Sequence, residues 1–386
     1  MNKTNSFSFY KVLPVFLGFF IMGFVDVVGI ATNYIKLDFG LSDKVANLLP
    51  MMVFIWFFIF SIPSGLLMNK IGRKKTVIIS FVIQVLALVI PVFGYNFNLL
   101  LVAFALLGIG NTMLQVSLNP LLSNVVSANK LTSSLTLGQF IKAIASFTGP
   151  ILAAFLLRSF DSWQLLFPIY AFITLLSSVW LLATPIQEAP IENKTSSFKE
   201  CLSLLGKKEI LLLFLGILTV VGIDVGLNTT APKIMQERTG MALENAGYAT
   251  SLYFMFKTAG AFLGSIILSV FSAKRFYIIS SVAAIVAFFG LVFVSGEYTL
   301  YACIALAGFA CANMFSIIFS FALKYLPEKS NEISGLMIMG VSGGAIFPWL
   351  MGIASDSVQT QTGAIIVLIF CCVYQLILSM YVKEVK

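Results

Sequence analysis

Apolar stretches long enough to cross a bilayer recur along this 386-residue chain. A membrane helix needs ~20 mostly apolar residues, and twelve such stretches can be read. They run over about 12–34, 45–68, 76–95, 98–124, 132–157, 163–184, 210–234, 247–272, 276–295, 298–323, 333–355 and 362–382. Only 10% of the residues are charged, against about 25% in ordinary soluble domains. Too few charges remain to cover a water-exposed surface, so soluble, disordered and disulfide-scaffold classes are excluded. The first apolar run is too long for a signal-peptide core, and no small-residue cleavage site follows it, so it reads as a retained helix. The expected fold is an all-α membrane protein of twelve transmembrane helices in two pseudo-symmetric six-helix bundles.

Polar segments then divide the chain. The widest gap, 185–208, carries Pro, Ser and Thr and reads as a linker. It separates an N-terminal bundle (1–184) from a C-terminal bundle (209–386). The net charge is +8. With a cytoplasmic N-terminus, 17 loop cations fall inside and five (Lys36, Lys44, Arg158, Lys233 and Arg238) fall outside. Cations accumulate on cytoplasmic loops, so both termini are expected in the cytoplasm. The glycines at 340, 343, 344 and 352 are expected to let helices approach closely. The five cysteines form no C-x-x-C pair and read as small apolar packing residues.

The two halves echo each other. Phe24-Val25-Asp26-Val27-Val28-Gly29 in the first span parallels Gly222-Ile223-Asp224-Val225-Gly226 in the seventh. Each acid lies ~14 residues into its span, near mid-membrane at 1.5 Å per residue. By this placement only four charged residues fall well within spans, Asp26, Lys142, Asp224 and Lys257, with Lys233 at the outer edge of the seventh. A charge at the bilayer centre costs ~2.5–3.5 kcal/mol on insertion scales, so such residues usually pair or line a wet cavity. The economical expectation is one couple per half, Asp26 with Lys142 and Asp224 with Lys257. The couples either hold helices together or carry a proton. A carboxylate's hold on a proton depends on burial and on the ammonium beside it, so loosening such a couple is chemistry a proton-driven cycle can use. Histidine is absent, which excludes histidine relays, triads and His metal sites. Gln115, Asn119, Gln139, Asn228 and Asn313 add hydrogen-bonding capacity at similar depth. Trp56, Tyr253 and Trp349 offer flat faces for stacking. Gln115 and Asn119, one helical turn apart, share a face.

The stretch Gly65-Leu66-Leu67-Met68-Asn69-Lys70-Ile71-Gly72-Arg73-Lys74-Lys75 resembles the G-x-L-x-D-x-x-G-R-R/K signature of the major facilitator superfamily. The resemblance implies two six-helix halves around a central site and a gating role for Gly65, Asn69, Gly72 and Arg73. The signature's acid is Asn69 here. Further stretches are similar to the fucose–proton symporter family. Leu114 to Pro120 (LQVSLNP) resembles its L-E-T-A-A-N-P, and Leu135 to Lys142 (LTLGQFIK) its L-N-L-A-Q-S-F-N. Ser251-Leu252-Tyr253-Phe254, Gly260 to Ser265, Ala322-Leu323-Lys324 and Val341 to Pro348 resemble other segments of it. That family takes up monosaccharides, mostly with protons and in some relatives with sodium.

The implied function is a monosaccharide–proton symporter of the bacterial cytoplasmic membrane, working by alternating access. Gln115, Asn119, Gln139, Asn228, Tyr253, Asn313, Trp56 and Trp349 would bind substrate. Asp26, Asp224, Lys142 and Lys257 would serve coupling. Sodium coupling, an anionic sugar, or export of drugs or organic anions are the alternatives. The expected partners are a small sugar, protons and the lipid bilayer, with no nucleic acid, no cofactor and no metal. The chain is expected to act as a monomer. No nucleophile–base arrangement or phosphate loop suggests an enzyme.

Overall fold

A computed structural model describes residues 9–41, 45, 48–188, 197–241, 246 and 248–382. Residues 189–196 of the expected linker, and the terminal and loop cations Lys3, Lys44, Lys194, Lys383 and Lys386, lie outside these. Among the described residues the secondary structure is entirely helical. The main helices are α1 (Phe9–Met22), α2 (Val28–Asp38), α3 (Leu48–Ile71), α4 (Arg73–Phe93), α5 (Phe97–Leu122), α6 (Leu131–Phe160), α7 (Leu166–Ala183) and α8 (Phe198–Ser203). They continue as α9 (Lys208–Thr239), α10 (Tyr248–Ile267), α11 (Ala273–Phe293), α12 (Glu297–Cys311), α13 (Met314–Tyr325), α14 (Ser330–Met339), α15 (Gly343–Val358) and α16 (Thr362–Tyr381).

Eleven helical runs are long and apolar enough to span a membrane among the described residues. The eighth expected span is the 20-residue α10, whose apolar run Lys257 interrupts. Three expected spans are broken rather than continuous. The first bends through a 3₁₀ turn, Gly23–Val27, between α1 and α2. The tenth breaks between α12 and α13. The eleventh breaks at the 3₁₀ turn Gly340–Ser342 between α14 and α15. Such breaks are tolerated at membrane depth where protein packs around them.

The chain forms two compact units. One comprises residues Met1–Leu131, Ile141–Leu202 and Glu328–Met339. Within it α4 and α5 pack along their length, and α3, α7 and α14 lie against them. Gly65 of α3 and Gly335 of α14 mark a close crossing. A Cβ on Gly65 would sit 2.8 Å from the Asn331 carbonyl oxygen, and one on Gly335 2.9 Å from that of Ser61. Glycine at both places lets the backbones touch.

The other unit comprises residues Thr132–Phe140, Ser203–Pro327 and Gly340–Lys386. In it α10 packs on α12, α11 on α16, and α9 on α15 and α16. Gln375 of α16 is fully buried and joins three helices. It accepts from the Tyr277 hydroxyl and donates to the Gly216 carbonyl (2.8 Å) and to Thr219 Oγ1 (2.7 Å). Interhelical polar contacts of this kind hold membrane bundles together, at about 0.6–2 kcal/mol each. Of the glycines expected at close approaches, Gly343 meets the Leu218 carbonyl, but Gly352 does not fit the expectation. Among the described residues a Cβ there would meet nothing within 4 Å, because Gly352 faces open space.

Candidate transport site

The 3₁₀ turn places Asp26. Gly23 begins the turn and lies directly on α6: a Cβ there would fall 2.5 Å from the Lys142 carbonyl oxygen and 2.8 Å from Ala145. Phe24 stacks on Tyr170 of α7, with ring centroids 3.8 Å apart. These contacts fix the turn against the stretch of α6 that carries Lys142 and Ser146. Lys142 Nζ is 3.9 Å from Asp26 Oδ2, and Ser146 Oγ donates to the same oxygen at 2.5 Å. The couple is loose, and the Asp26 side chain is 36% exposed. Ser146 escaped the sequence reading. Its signal was its place one turn beyond Lys142, on the same face of α6.

The second couple is tighter. Asp224 lies in continuous α-helix, in the middle of the 32-residue α9. Lys257 of α10 donates to Asp224 Oδ2, and the Tyr253 hydroxyl donates to Oδ1. Lys257 and Tyr253 stand one turn apart on α10, so a single helix face clamps both carboxylate oxygens. Tyr253 is fully buried, and its hydroxyl is engaged with the acid.

The remaining polar residues separate into different environments. Gln115 and Asn119 are buried in α5 with their donors used along the helix. Gln115 Nε2 donates to Asn111 Oδ1 (2.8 Å), and Asn119 Nδ2 to the Gln115 carbonyl (2.8 Å). Asn111 in turn donates to the Met22 carbonyl at 3.0 Å, just before the 3₁₀ turn. Asn119 Oδ1 is buried without a hydrogen-bond partner among the described residues. Asn313 is buried and donates to the Gly260 carbonyl at 2.9 Å, and its Oδ1 is likewise unpartnered among the described residues. Gln139 and Asn228 are half-buried. Trp56 packs edge-on against Phe60, and its buried Nε1 has no partner among the described residues. Trp349 is 67% exposed.

The signature segment forms a dense polar cluster in the first unit. Gly72 has φ +92°, a conformation that favours glycine, and turns the chain directly into α4. Glu188 caps that helix start, accepting from the backbone N–H of Arg73 (2.6 Å) and of Lys74 (2.9 Å). An acid there also meets the positive end of the helix dipole. The Arg73 guanidinium donates to Asn331 Oδ1 (2.8 Å), Ser330 Oγ (2.5 Å), Asn124 Oδ1 (2.6 Å) and the Pro120 carbonyl (3.0 Å). Asn69 accepts from Asn331 Nδ2 (2.7 Å) and donates to Glu332 Oε1 (2.8 Å).

Glu332 corrects the count of four charges inside spans. It lies in α14, within the membrane-length run Pro327–Val358, and is 3% exposed. The expected span began one residue too late to include it. Lys329 approaches its carboxylate at 3.7 Å, which partly answers the buried charge.

The sequence pattern of the Major Facilitator Superfamily matches residues 15–246 and 213–386. The chain belongs to this superfamily. It is a multi-pass membrane transporter, not an enzyme. It is 25% identical over 382 residues to a glucose/galactose transporter of Brucella abortus, covering 95% of this chain and 92% of that one. It is 26% identical to a putative glucose/galactose transporter of Helicobacter pylori, over 88% of this chain and 87% of that protein. The fold matches the E. coli fucose:proton symporter FucP with TM-score 0.84 at 19% identity, over 97% of this chain and 100% of that one. It also matches the proton:xylose symporter XylE with TM-score 0.76 at 16% identity, over 98% and 96%.

Proposed function

We propose that this superfamily member is a monosaccharide transporter of the bacterial cytoplasmic membrane, driven by protons and working by alternating access. Two Asp–Lys couples, each built on an acid near mid-span, are the observation that carries the coupling reading. The substrate class follows the glucose/galactose transporters that the chain resembles over nearly its whole length. The bias of 17 cations against five supports cytoplasmic termini. We assign the proton to Asp26. Its couple is the looser of the two, its carboxylate is the more exposed, and Ser146 offers a hydroxyl to it. Asp224, held by Lys257 and Tyr253, serves to position α9 against α10. Both lysines are engaged by aspartates, which argues against the organic-anion reading, where they would meet substrate carboxylates directly.

The test is uptake into proteoliposomes from a panel of labelled monosaccharides, with proton and sodium gradients imposed separately. Asp26→Asn should abolish proton-driven accumulation and spare counterflow exchange. Uphill uptake left unchanged in that variant overturns the assignment. Accumulation that follows only the sodium gradient overturns proton coupling while leaving sugar transport in place.

A further inference from the structure

The second unit contains a polar cavity of about 270 Å³ that none of the residues discussed above explains. It lies where the C-terminal part of α9, one face of α15 and the start of α16 converge. Lys233 is nine residues beyond Asp224, so it lies ~13.5 Å further along α9. By the cation bias this is the outer end of the unit. Thr230 and Lys233 line the cavity from α9. Met351, Gly352, Ser355 and Asp356 line it from α15, at a spacing that puts them on one helix face.

Three observations indicate that the cavity receives a ligand. Ser355 is 9% exposed, yet its hydroxyl has no hydrogen-bond partner among the described residues. A buried hydroxyl left unpaired costs about 1–3 kcal/mol, so a ligand toward which the Ser355 side chain turns gains part of that. Gly352 opens the wall, since a Cβ there would touch nothing. A cation and an acid, Lys233 and Asp356, line the same space.

We infer that this cavity is an entry subsite for the transported monosaccharide, a class that rests on the sugar-transport reading above. Each sugar hydroxyl both donates and accepts, so it can bond to an ammonium, a carboxylate and a serine together. An anion would be repelled by Asp356 and a cation by Lys233. Met351 supplies an apolar patch for the C–H face of the ring. The volume lies just below the ~300–1,000 Å³ typical of drug-sized ligand clefts, a scale that suits one sugar ring. The other source of polyhydroxylic chemistry is a lipid headgroup such as phosphatidylglycerol.

The experiment uses the full chain carrying Gly352→Cys, reconstituted in phosphatidylcholine vesicles with or without phosphatidylglycerol. An impermeant thiol reagent labels the new cysteine from outside. Millimolar transported sugar should slow labelling at least threefold in both lipids, and a sugar that the wild type does not transport should not. In parallel, Gly352→Leu should raise the apparent KM for entry about fivefold, the worth of roughly one hydrogen bond, with Vmax retained. Ser355→Ala, which leaves the cavity open, should raise it about twofold to fivefold, and it serves if the leucine variant fails to fold. Labelling without sugar protection, in a protein whose wild type moves sugar, overturns the subsite alone. Protection by phosphatidylglycerol and not by sugar overturns it in favour of a headgroup site. A wild type that moves no sugar overturns the transport reading, and the subsite with it.

Discussion

Replacing Asp224 by Asn should destabilise the protein several times more than replacing Asp26. The substitution leaves the Lys257 ammonium without its counter-charge while the Tyr253 hydroxyl keeps an acceptor. Breaking a buried ion pair from one side costs about 3–5 kcal/mol. Lys257 and Asp224 are 25% and 31% exposed, so solvent screening lowers the expectation to about 2 kcal/mol. The Asp26 couple is separated by 3.9 Å and its carboxylate is 36% exposed. It behaves as a surface pair, worth about 0.5 kcal/mol. Thermal unfolding of purified protein in one detergent measures both variants. Asp224→Asn with Lys257→Met removes both charges and should recover at least half of the loss, giving a coupling energy of about 1–2 kcal/mol. Equal destabilisation by Asp26→Asn and Asp224→Asn would refute the argument, because it requires the tighter couple to be the structural one. Zero coupling in the cycle would refute it independently.

Arg73→Lys should lower the unfolding temperature and reduce uptake, since an ammonium cannot reproduce the planar contacts to Asn331, Ser330 and Asn124. A loss of about 2–4 kcal/mol is expected from two or three charge-assisted bonds, read by thermal unfolding. Gly335→Val should cost about 1–3 kcal/mol by overpacking the crossing of α3 and α14, where even a Cβ would lie 2.9 Å from the Ser61 oxygen. Unchanged stability in that variant would show that the crossing yields freely. Burial, with Glu332 adding to it, pushes the Cys201 thiol up to about 12. Its thiolate is therefore scarce at neutral pH, and maleimide at pH 7.5 should leave Cys201 unmodified in folded protein and modify it after denaturation, as read by peptide mass spectrometry.

Length, hydropathy and the few buried charges made most of the fold legible. Each of the twelve expected spans corresponds to a helix or a broken pair of helices, because ~20 apolar residues have few other ways to satisfy their backbone in lipid. The breaks were not legible. The turn at Gly23–Val27 depends on α6 lying against it, a contact between residues more than a hundred positions apart. Asp26, Lys142, Asp224 and Lys257 stood out because a charge inside a span is costly. The structure brings each Asp to the Lys expected for it. Glu332 was hidden by a boundary error of one residue. Ser355 was hidden because serine is ordinary in membrane helices; a hydroxyl unpartnered among the described residues, at the wall of a cavity, is what singles it out.

The turn around Asp26 also gives the first span a mechanical property that α9 lacks. Five residues wound as 3₁₀ rise about 2.0 Å each and rotate about 120° each, against 1.5 Å and 100° in α-helix. Rewinding them would draw α2 in by about 2.5 Å and rotate it by about 100° about its axis. The carboxylate rides inside this screw, so a small change in pitch would re-aim it without breaking the helices on either side. Asp224, carried on an unbroken helix, has no such thread to turn on.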